Sequence, residues 1–245
     1  MKGFGKNDRK NKSSKEKVNS FQKDKLISNA LSLHSSGKIK EASEIYNVLI
    51  KNKFYDPRIF NNLGSIYSQI NQFDKAILLF NESIKKFPNS IEAYSNLASV
   101  LVIKGRIDTA KKFLIKAIEL NPNYLKSYGN LAGIYVGEGD FGEAELLLRK
   151  SIEKNPNDIN TLVNLACVLK DLGKIKEAEK FLRNALEINP TYEKVLTNLG
   201  AVLNELEKTD EGERYLRKAL NINPASLMAL NNLGNILSKK NNYNE

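Results

Sequence analysis

Residues 159–190 read INTLVNLACVLKDLGKIKEAEKFLRNALEINP, and this stretch is one copy of a unit that recurs along the chain. Its closing proline belongs to a series in which each member follows the last by 34 residues: Pro88, Pro122, Pro156, Pro190 and Pro224. A fixed interval of this length indicates one supersecondary unit copied in tandem. We therefore expect function to reside in a repeated surface and not in a single catalytic cluster.

Apolar residues at helical spacing mark two helices in the quoted unit: Leu165, Ala166, Leu169, Ala178, Leu182, Ala185 and Leu186. Gly173 lies between the two runs, where a turn needs a residue without side-chain strain. The Asn189-Pro190 pair ends the second helix, because proline disfavours helical geometry in the residue before it. The unit is thus predicted to be a helix, a turn and a second helix.

Residues 57–90, with Leu63-Gly64, Ala76, Phe80 and Pro88 at fixed offsets, resemble a tetratricopeptide repeat (TPR). A weaker copy at 23–56 has Asn29 and Phe54 where Leu and Pro are expected. The resemblance implies an all-α, right-handed TPR superhelix, an α-solenoid of about six and a half 34-residue helix-turn-helix repeats. The predicted repeats are 23–56, 57–90, 91–124, 125–158, 159–192, 193–226 and a partial one at 227–245.

One repeat departs from the shared pattern at two positions. The repeat 193–226 has Glu207 where Gly is usual and Gly212 where Ala is usual. Glycine inside a helix costs roughly 1 kcal/mol relative to alanine. We expect the joint between the two helices of this repeat to be the loosest in the array.

The N-terminal segment 1–22 is predicted to be a disordered basic tail. Its first twenty residues hold seven Lys or Arg and two acidic residues, which is half of the net charge of +10. Such a tail can tether nucleic acid or an anionic membrane, or it can simply keep a repeat array soluble. We favour the solubilising role, and do not expect nucleic-acid binding, because aromatic interleaving and a recognition fold are missing.

Composition excludes several classes of function. With one His and one Cys, neither a disulfide framework nor a zinc site can be assembled, so we expect no metal and no cofactor. The Gly137–Gly142 stretch matches G-x-G-x-x-G, but the repeat register makes it a turn between two helices. We expect no catalytic activity from these residues. There is no apolar run long enough for a signal peptide or membrane span, so a cytoplasmic location is expected.

One column of asparagines carries the functional prediction. Position 6 of the first helix is Asn in every repeat from the second onwards: Asn62, Asn96, Asn130, Asn164, Asn198 and Asn232. The TPR resemblance implies that such residues line a concave groove and hydrogen-bond the main chain of a bound peptide. The succession of Asn-Leu-Gly or Asn-Leu-Ala is most similar to the TPR arrays of the protein O-linked N-acetylglucosamine transferases. Two alternatives stay open: an Asn copied during repeat duplication, or one bonded to the neighbouring helix.

The other groove positions refine this prediction. Positions 5 and 9 are small and mostly uncharged, as in Gly129, Gly133 and Cys167, so the groove is expected to be roomy enough for a main chain. Cys167 is interpreted as a small filler because no other Cys or His lies near it in the repeat register. Lys126 and Lys194 are predicted to bias the groove towards acidic or C-terminal sequences.

We thus predict a protein interaction scaffold that binds extended peptide segments. One alternative is a clamp for a C-terminal carboxylate, of the co-chaperone type: Lys126, Asn130, Asn164 and Lys194 match four of the five family positions, but Asn198 replaces an Arg. Another is the substrate-selecting arm of a transferase whose catalytic domain follows residue 245. The last repeat stops after its first helix, so self-association through this uncapped end is a further alternative.

Overall fold

The computed structural model describes residues 22–242, which form thirteen α-helices and no β-strand. The all-helical, helix-turn-helix array predicted from the sequence is confirmed. The predicted basic tail lies outside the described residues except for Gln22, which is helical. The helices are α1 (22–35), α2 (Ile39–Lys51), α3 (Pro57–Gln69), α4 (Phe73–Lys86), α5 (Ile91–Ile103), α6 (Ile107–Leu120), α7 (Leu125–Glu138), α8 (Phe141–Lys154), α9 (Ile159–Asp171), α10 (Ile175–Ile188), α11 (Glu193–Glu205), α12 (Thr209–Ile222) and α13 (Leu227–Asn242).

Odd-numbered helices are the first helices of the predicted repeats (A helices), and even-numbered ones are the second (B helices). The chain forms two compact units, divided in sequence between Leu120 and Asn121. The first unit contains α1–α6 and the second contains α7–α13. No helix in the described part of the chain is long and apolar enough to cross a membrane.

The second unit has an inner face made of A helices. Each B helix packs against the A helices on either side of it, and the A helices also contact one another in the order α7, α9, α11, α13. The backbones of α8, α10 and α12 do not contact one another in the same way. Because A helices lie closer together than B helices, the A side is the inner side of this unit. In the first unit α3 and α5 make the corresponding contact.

The turn between the A and B helices is closed in the same way in the six repeats from 23–56 to 193–226. A residue with positive φ recurs every 34 residues, at Gly37, Asn71, Gly105, Gly139, Gly173 and Glu207. The backbone N–H of the next residue donates a hydrogen bond to a carbonyl in the last turn of the A helix. An example is the N–H of Asp140, which donates to the Tyr135 carbonyl oxygen at 2.8 Å. The G-x-G-x-x-G stretch is therefore a helix end, a turn and a helix start, as the register predicted.

The Asn-Pro pairs do more than stop the B helices. In each pair the asparagine carboxamide oxygen accepts a hydrogen bond from the backbone N–H two residues on, as at Asn155 from Asn157 (3.2 Å) and Asn189 from Thr191 (3.1 Å). This turn fixes the entry to the next A helix. The weaker first repeat, with Phe54 in place of Pro, has Lys53 at φ 59 instead.

The core of each unit lies between A and B helices, where small residues allow close approach. Ala144, Leu148, Ala166, Leu182 and Ala185, among others, are at most 1% exposed in the second unit. The expectation of a loose joint between α11 and α12 is wrong. Gly200 and Gly212 bring these two backbones into direct contact, and an added Cβ on either glycine would overlap the other helix.

Candidate functional site

Two adjoining cavities open on the inner face of the second unit, between α7 and α9. The first, of about 320 Å³, we name the polar cavity, and its walls are Leu125, Lys126, Gly129, Asn130, Asp158, Asn160, Thr161 and Asn164. The second, of about 210 Å³, we name the apolar cavity, and its walls are Gly129, Ala132, Gly133, Val136, Leu148, Asn164, Cys167, Val168 and Asp171. Gly129 and Asn164 belong to both walls, so the cavities are neighbours along the two helices.

Hydrogen bonds fix several groups of the polar cavity. Asp158 caps α9: its carboxylate accepts from the N–H of Thr161 at 2.9 Å and from the Thr161 hydroxyl. The hydroxyl of Tyr192 donates to the carboxamide oxygen of Asn160 at 3.0 Å. The cavity thus presents an ordered anionic group, amides and the Lys126 ammonium within one wall.

Asn164 is the member of the predicted column that is most available to a ligand. Its side chain is exposed at the boundary between the two cavities. Within the described residues its amide makes no hydrogen bond. A carboxamide offers two donors and an acceptor, which match the C=O and N–H of an extended chain.

Other members of the column are engaged with protein atoms. The Nδ2 of Asn198 donates to the carbonyl oxygen of Lys194 at 2.8 Å, and the Nδ2 of Asn62 donates to that of Arg58 at 2.7 Å. The Oδ1 of Asn198 also accepts from the Cys167 thiol of the neighbouring A helix, at 3.5 Å. A ligand must therefore replace the intrahelical bond of Asn198 to use its donor.

The structure brings together only part of the predicted set. Lys126, Asn130 and Asn164 share the polar cavity, whereas Lys194 lies on α11 with an exposed side chain outside both cavity walls. Asn232 is half-buried on α13. Asn62 and Asn96 are half-buried on A helices of the first unit.

Cys167 lies on α9, and its thiol faces the neighbouring A helix α11, where it meets Oδ1 of Asn198. It lines the apolar cavity, and burial raises the pKa of its thiol. The thiol is therefore a neutral wall group at physiological pH and a poor nucleophile. Across residues 22–242, no cluster of three or more His, Cys, Asp or Glu side chains is placed to hold a metal ion.

Sequence reasoning did not single out several residues of these walls, among them Asp158, Asn160 and Asp171. A signal existed for each of these three. Asn160 stands at the repeat position of Lys126 and Lys194, and Asp158 precedes α9 as a typical capping residue. Asp171 stands at position 13 of its repeat, which the TPR resemblance implies to be a groove position.

Comparison with known proteins identifies the repeat. Three family models described as tetratricopeptide repeat match residues 57–89, 89–154, 135–202 and 193–226, which together are more than half of the chain. This chain belongs to the tetratricopeptide repeat family. Proteins of this family generally mediate protein–protein interactions, and the TPR fold is typically a non-catalytic scaffold. The narrower resemblance to the transferase arrays stays a prediction.

Solved structures agree on the fold. YrrB, a TPR protein with an unusual peptide-binding site, is 21% identical, with a TM-score of 0.56 over 77% of this chain and 97% of YrrB. TTC0263, a thermophilic TPR protein of Thermus thermophilus, is 23% identical, with a TM-score of 0.61 over 74% of this chain and 99% of its own. PilF of Pseudomonas aeruginosa is 15% identical, with a TM-score of 0.72 over 85% and 95%. No curated protein matches the chain.

Proposed function

We propose that this TPR protein binds extended segments of partner proteins along its A helices, with the asparagine column on the segment's main chain. Lys126 and Lys194 bias it towards acidic segments. One observation carries the proposal: Asn130 and Asn164 lie in the wall of one open cavity, and the amide of Asn164 has no hydrogen bond within the described residues. The proposed column is Asn62, Asn96, Asn130, Asn164, Asn198 and Asn232.

The chemistry of this face suits main-chain recognition. Carboxamides pair with peptide groups in either direction and do not read side chains. Gly129 and Gly133 remove side chains from the adjacent surface of α7, so a main chain has room to approach Asn164. A binder of this kind accepts many sequences and relies on neighbouring pockets for selectivity.

The carboxylate clamp fits this site less well. Lys126, Asn130 and Asn164 do share a cavity, but the Asp158 carboxylate lies in the same wall. A bound C-terminal carboxylate would be repelled by this fixed negative charge. Main-chain binding, which places no net charge in the cavity, is therefore favoured.

The test is a selection of random peptides displayed on phage against the full chain, followed by binding measurements with synthetic peptides. The functional variant carries Asn130→Ala, Asn164→Ala and Asn198→Ala. Its matched control carries Asn81→Ala, Asn184→Ala and Asn221→Ala, three exposed asparagines on B helices. Each lost hydrogen bond costs roughly 1 kcal/mol, so the functional variant should bind ten- to a hundredfold more weakly.

Circular dichroism is used to check that both variants fold. The control is expected to keep wild-type affinity. N-methylation of single peptide bonds in a selected peptide should reduce affinity at the residues that meet the column. Equal affinity of wild type and the functional variant for every selected peptide would mean that the asparagine column was copied with the repeats and does not bind peptides.

A further inference from the structure

We propose that the apolar cavity is a side-chain pocket that selects segments with one large apolar residue, Leu, Met or Phe, next to a basic residue. This inference rests on the proposed main-chain binding and supplies its selectivity. The ligand is thus an extended, partly basic segment of another protein, anchored by a single side chain.

The cavity has the shape and chemistry for one side chain. Its volume is about 210 Å³, and Ala132, Val136, Leu148 and Val168 give it apolar walls. It adjoins the polar cavity through Gly129 and Asn164. A main chain that bonds to the Asn164 amide therefore passes the mouth of the apolar cavity. An apolar side chain that enters the cavity is transferred out of water, which favours binding.

Gly129 and Gly133 of α7 leave this cavity open, although neither the packing of the helices nor the backbone conformation requires a glycine there. Neither Gly129 nor Gly133 has a positive φ. An added Cβ on Gly133 would meet no atom within 4 Å, and one on Gly129 would meet only Nδ2 of Asn164, at 3.9 Å. Alanine is the better helix former and would fit at both positions. The next repeat has Val163 and Cys167 at the same two positions.

The charges around the two cavities indicate the neighbours of the anchoring residue. Asp171 lies in the wall of the apolar cavity, and Glu205 lies on the next A helix. Between them Lys170 approaches each carboxylate only to 3.9 Å. The two carboxylates and the one ammonium give the apolar-cavity end of the site a net negative charge. This charge favours a basic residue of the bound segment at that end. Lys126 at the polar end favours an acidic group, so the segment has a preferred direction.

The experiment extends the peptide selection to two variants of the full chain, Gly133→Leu and Gly142→Leu. Leucine at position 133 fills the apolar cavity. Gly142 is exposed on the B helix α8, lines neither cavity, and an added Cβ there meets only Oδ1 of Asp140, at 3.8 Å. Both changes replace glycine by a better helix former, so the helix content and the unfolding midpoint should be equal to wild type or higher.

Wild type should select peptides with a Leu, Met or Phe at one position beside a Lys or Arg. Gly133→Leu should bind these peptides at least thirtyfold more weakly, and Gly142→Leu should stay within twofold of wild type. Replacing the anchoring residue of the peptide by Ala should weaken binding to wild type but not to Gly133→Leu, because the pocket is already closed in that variant.

The outcomes separate the two proposals. If selected peptides depend on the asparagine column but carry no large apolar residue, main-chain binding stands and the pocket is overturned. If both leucine variants weaken binding equally, the pocket is also overturned. If no peptide is selected, or binding ignores the asparagine column, the proposed function fails and the pocket fails with it.

Discussion

Gly200 on α11 and Gly212 on α12 face each other so closely that a Cβ on Gly212 would lie 2.8 Å from the carbonyl oxygen of Gly200. In the other direction, a Cβ on Gly200 would lie 3.1 Å from the carbonyl oxygen of Gly212 and only 2.6 Å from Cγ of Leu216. The propensity cost of a glycine inside α12 is thus offset by direct backbone contact between the two helices. Helix propensity alone predicts a loose joint between α11 and α12 at Gly212, whereas packing predicts a tight one, and the structure shows the tight joint.

Gly212→Ala is therefore expected to destabilise the protein, although alanine is the better helix former. Overpacking a tight contact costs typically 1–3 kcal/mol, which exceeds the roughly 1 kcal/mol gained in helix propensity. Urea unfolding followed by circular dichroism measures the change. The control is Gly137→Ala, where space is open and the same substitution should stabilise by about 0.5–1 kcal/mol. Stabilisation by both substitutions would contradict the contact.

Glu207→Gly is expected to stabilise the protein. Glu207 has φ 62, in the left-handed region, at the position where Gly105, Gly139 and Gly173 end other A helices. A side chain in this conformation costs roughly 1–2 kcal/mol, and the added freedom of glycine in the unfolded chain takes back part of the gain. We expect a net gain of about 0.5–1 kcal/mol in the free energy of unfolding.

Thermal and urea unfolding of Glu207→Gly are compared with those of Lys180→Gly. Lys180 is an exposed residue inside α10, where glycine should cost about 1 kcal/mol. Opposite signs for the two substitutions are expected. A loss of stability at both positions would show that Glu207 contributes a contact that outweighs its backbone conformation.

The fold could be predicted almost completely from the sequence, because each of its determinants is local or periodic. The 34-residue proline interval, the small residues at fixed offsets and the glycine turns each report on one repeat and its neighbours. The error at Gly212 has a physical cause. Propensity is a property of one helix, whereas the closeness of α11 and α12 depends on two glycines acting together.

The candidate site could be predicted only in part. Repeat register puts Asn130 and Asn164 at equivalent positions of neighbouring A helices, and both line the polar cavity because such positions lie side by side. Register does not give the hydrogen bond of an individual amide, such as that of Asn198 to the Lys194 carbonyl. It also does not give the cavities, whose walls combine residues of α7, α8 and α9 that only packing brings together.

A periodic ion-pair ladder joins the B helices of the second unit, and it should make stability depend on pH. Glu145 accepts from Lys174 at 2.7 Å and from Arg149 at 2.9 Å, and Arg149 reaches Glu177 of the next B helix. Glu179, 34 residues on, repeats the pattern with Arg183 and Lys208, and Arg183 reaches Glu211 of α12. Glu213 pairs with Arg217 of its own helix and with Lys240 of α13. The bonds from Lys174 and Arg149 lower the pKa of Glu145.

Because the folded-state pKa of Glu145 is depressed, its stabilising effect is present above the unfolded value of about 4.3. It is lost as the pH falls through the lower folded-state pKa. Glu145→Gln is expected to cost roughly 1 kcal/mol at pH 7 and almost nothing at pH 2.5, with a smaller cost in 1 M salt. Glu153→Gln, an exposed change on the same helix, should cost less than 0.5 kcal/mol at both pH values.

Asp158→Asn separates main-chain binding from the carboxylate clamp, because it removes a charge from the polar cavity and keeps the cap on α9. Asparagine caps a helix as well as aspartate does, so stability should change by less than 0.5 kcal/mol, whereas Asp158→Ala should lose about 1 kcal/mol. With the charge removed, peptides with an acidic residue towards Lys126 should bind several-fold more tightly. Neutral peptides should bind as before.

The decisive comparison uses one selected peptide with a free C-terminal carboxylate and the same peptide with a C-terminal amide. Main-chain binding predicts nearly equal Kd values for the two forms on wild type, since the column contacts peptide groups within the segment. A clamp predicts that amidation weakens binding to wild type at least tenfold, because charge-assisted hydrogen bonds to the carboxylate are lost. It also predicts that Asp158→Asn tightens only the free-carboxylate form. Such a result would show that the site recognises the C-terminal carboxylate of the segment and not its main chain.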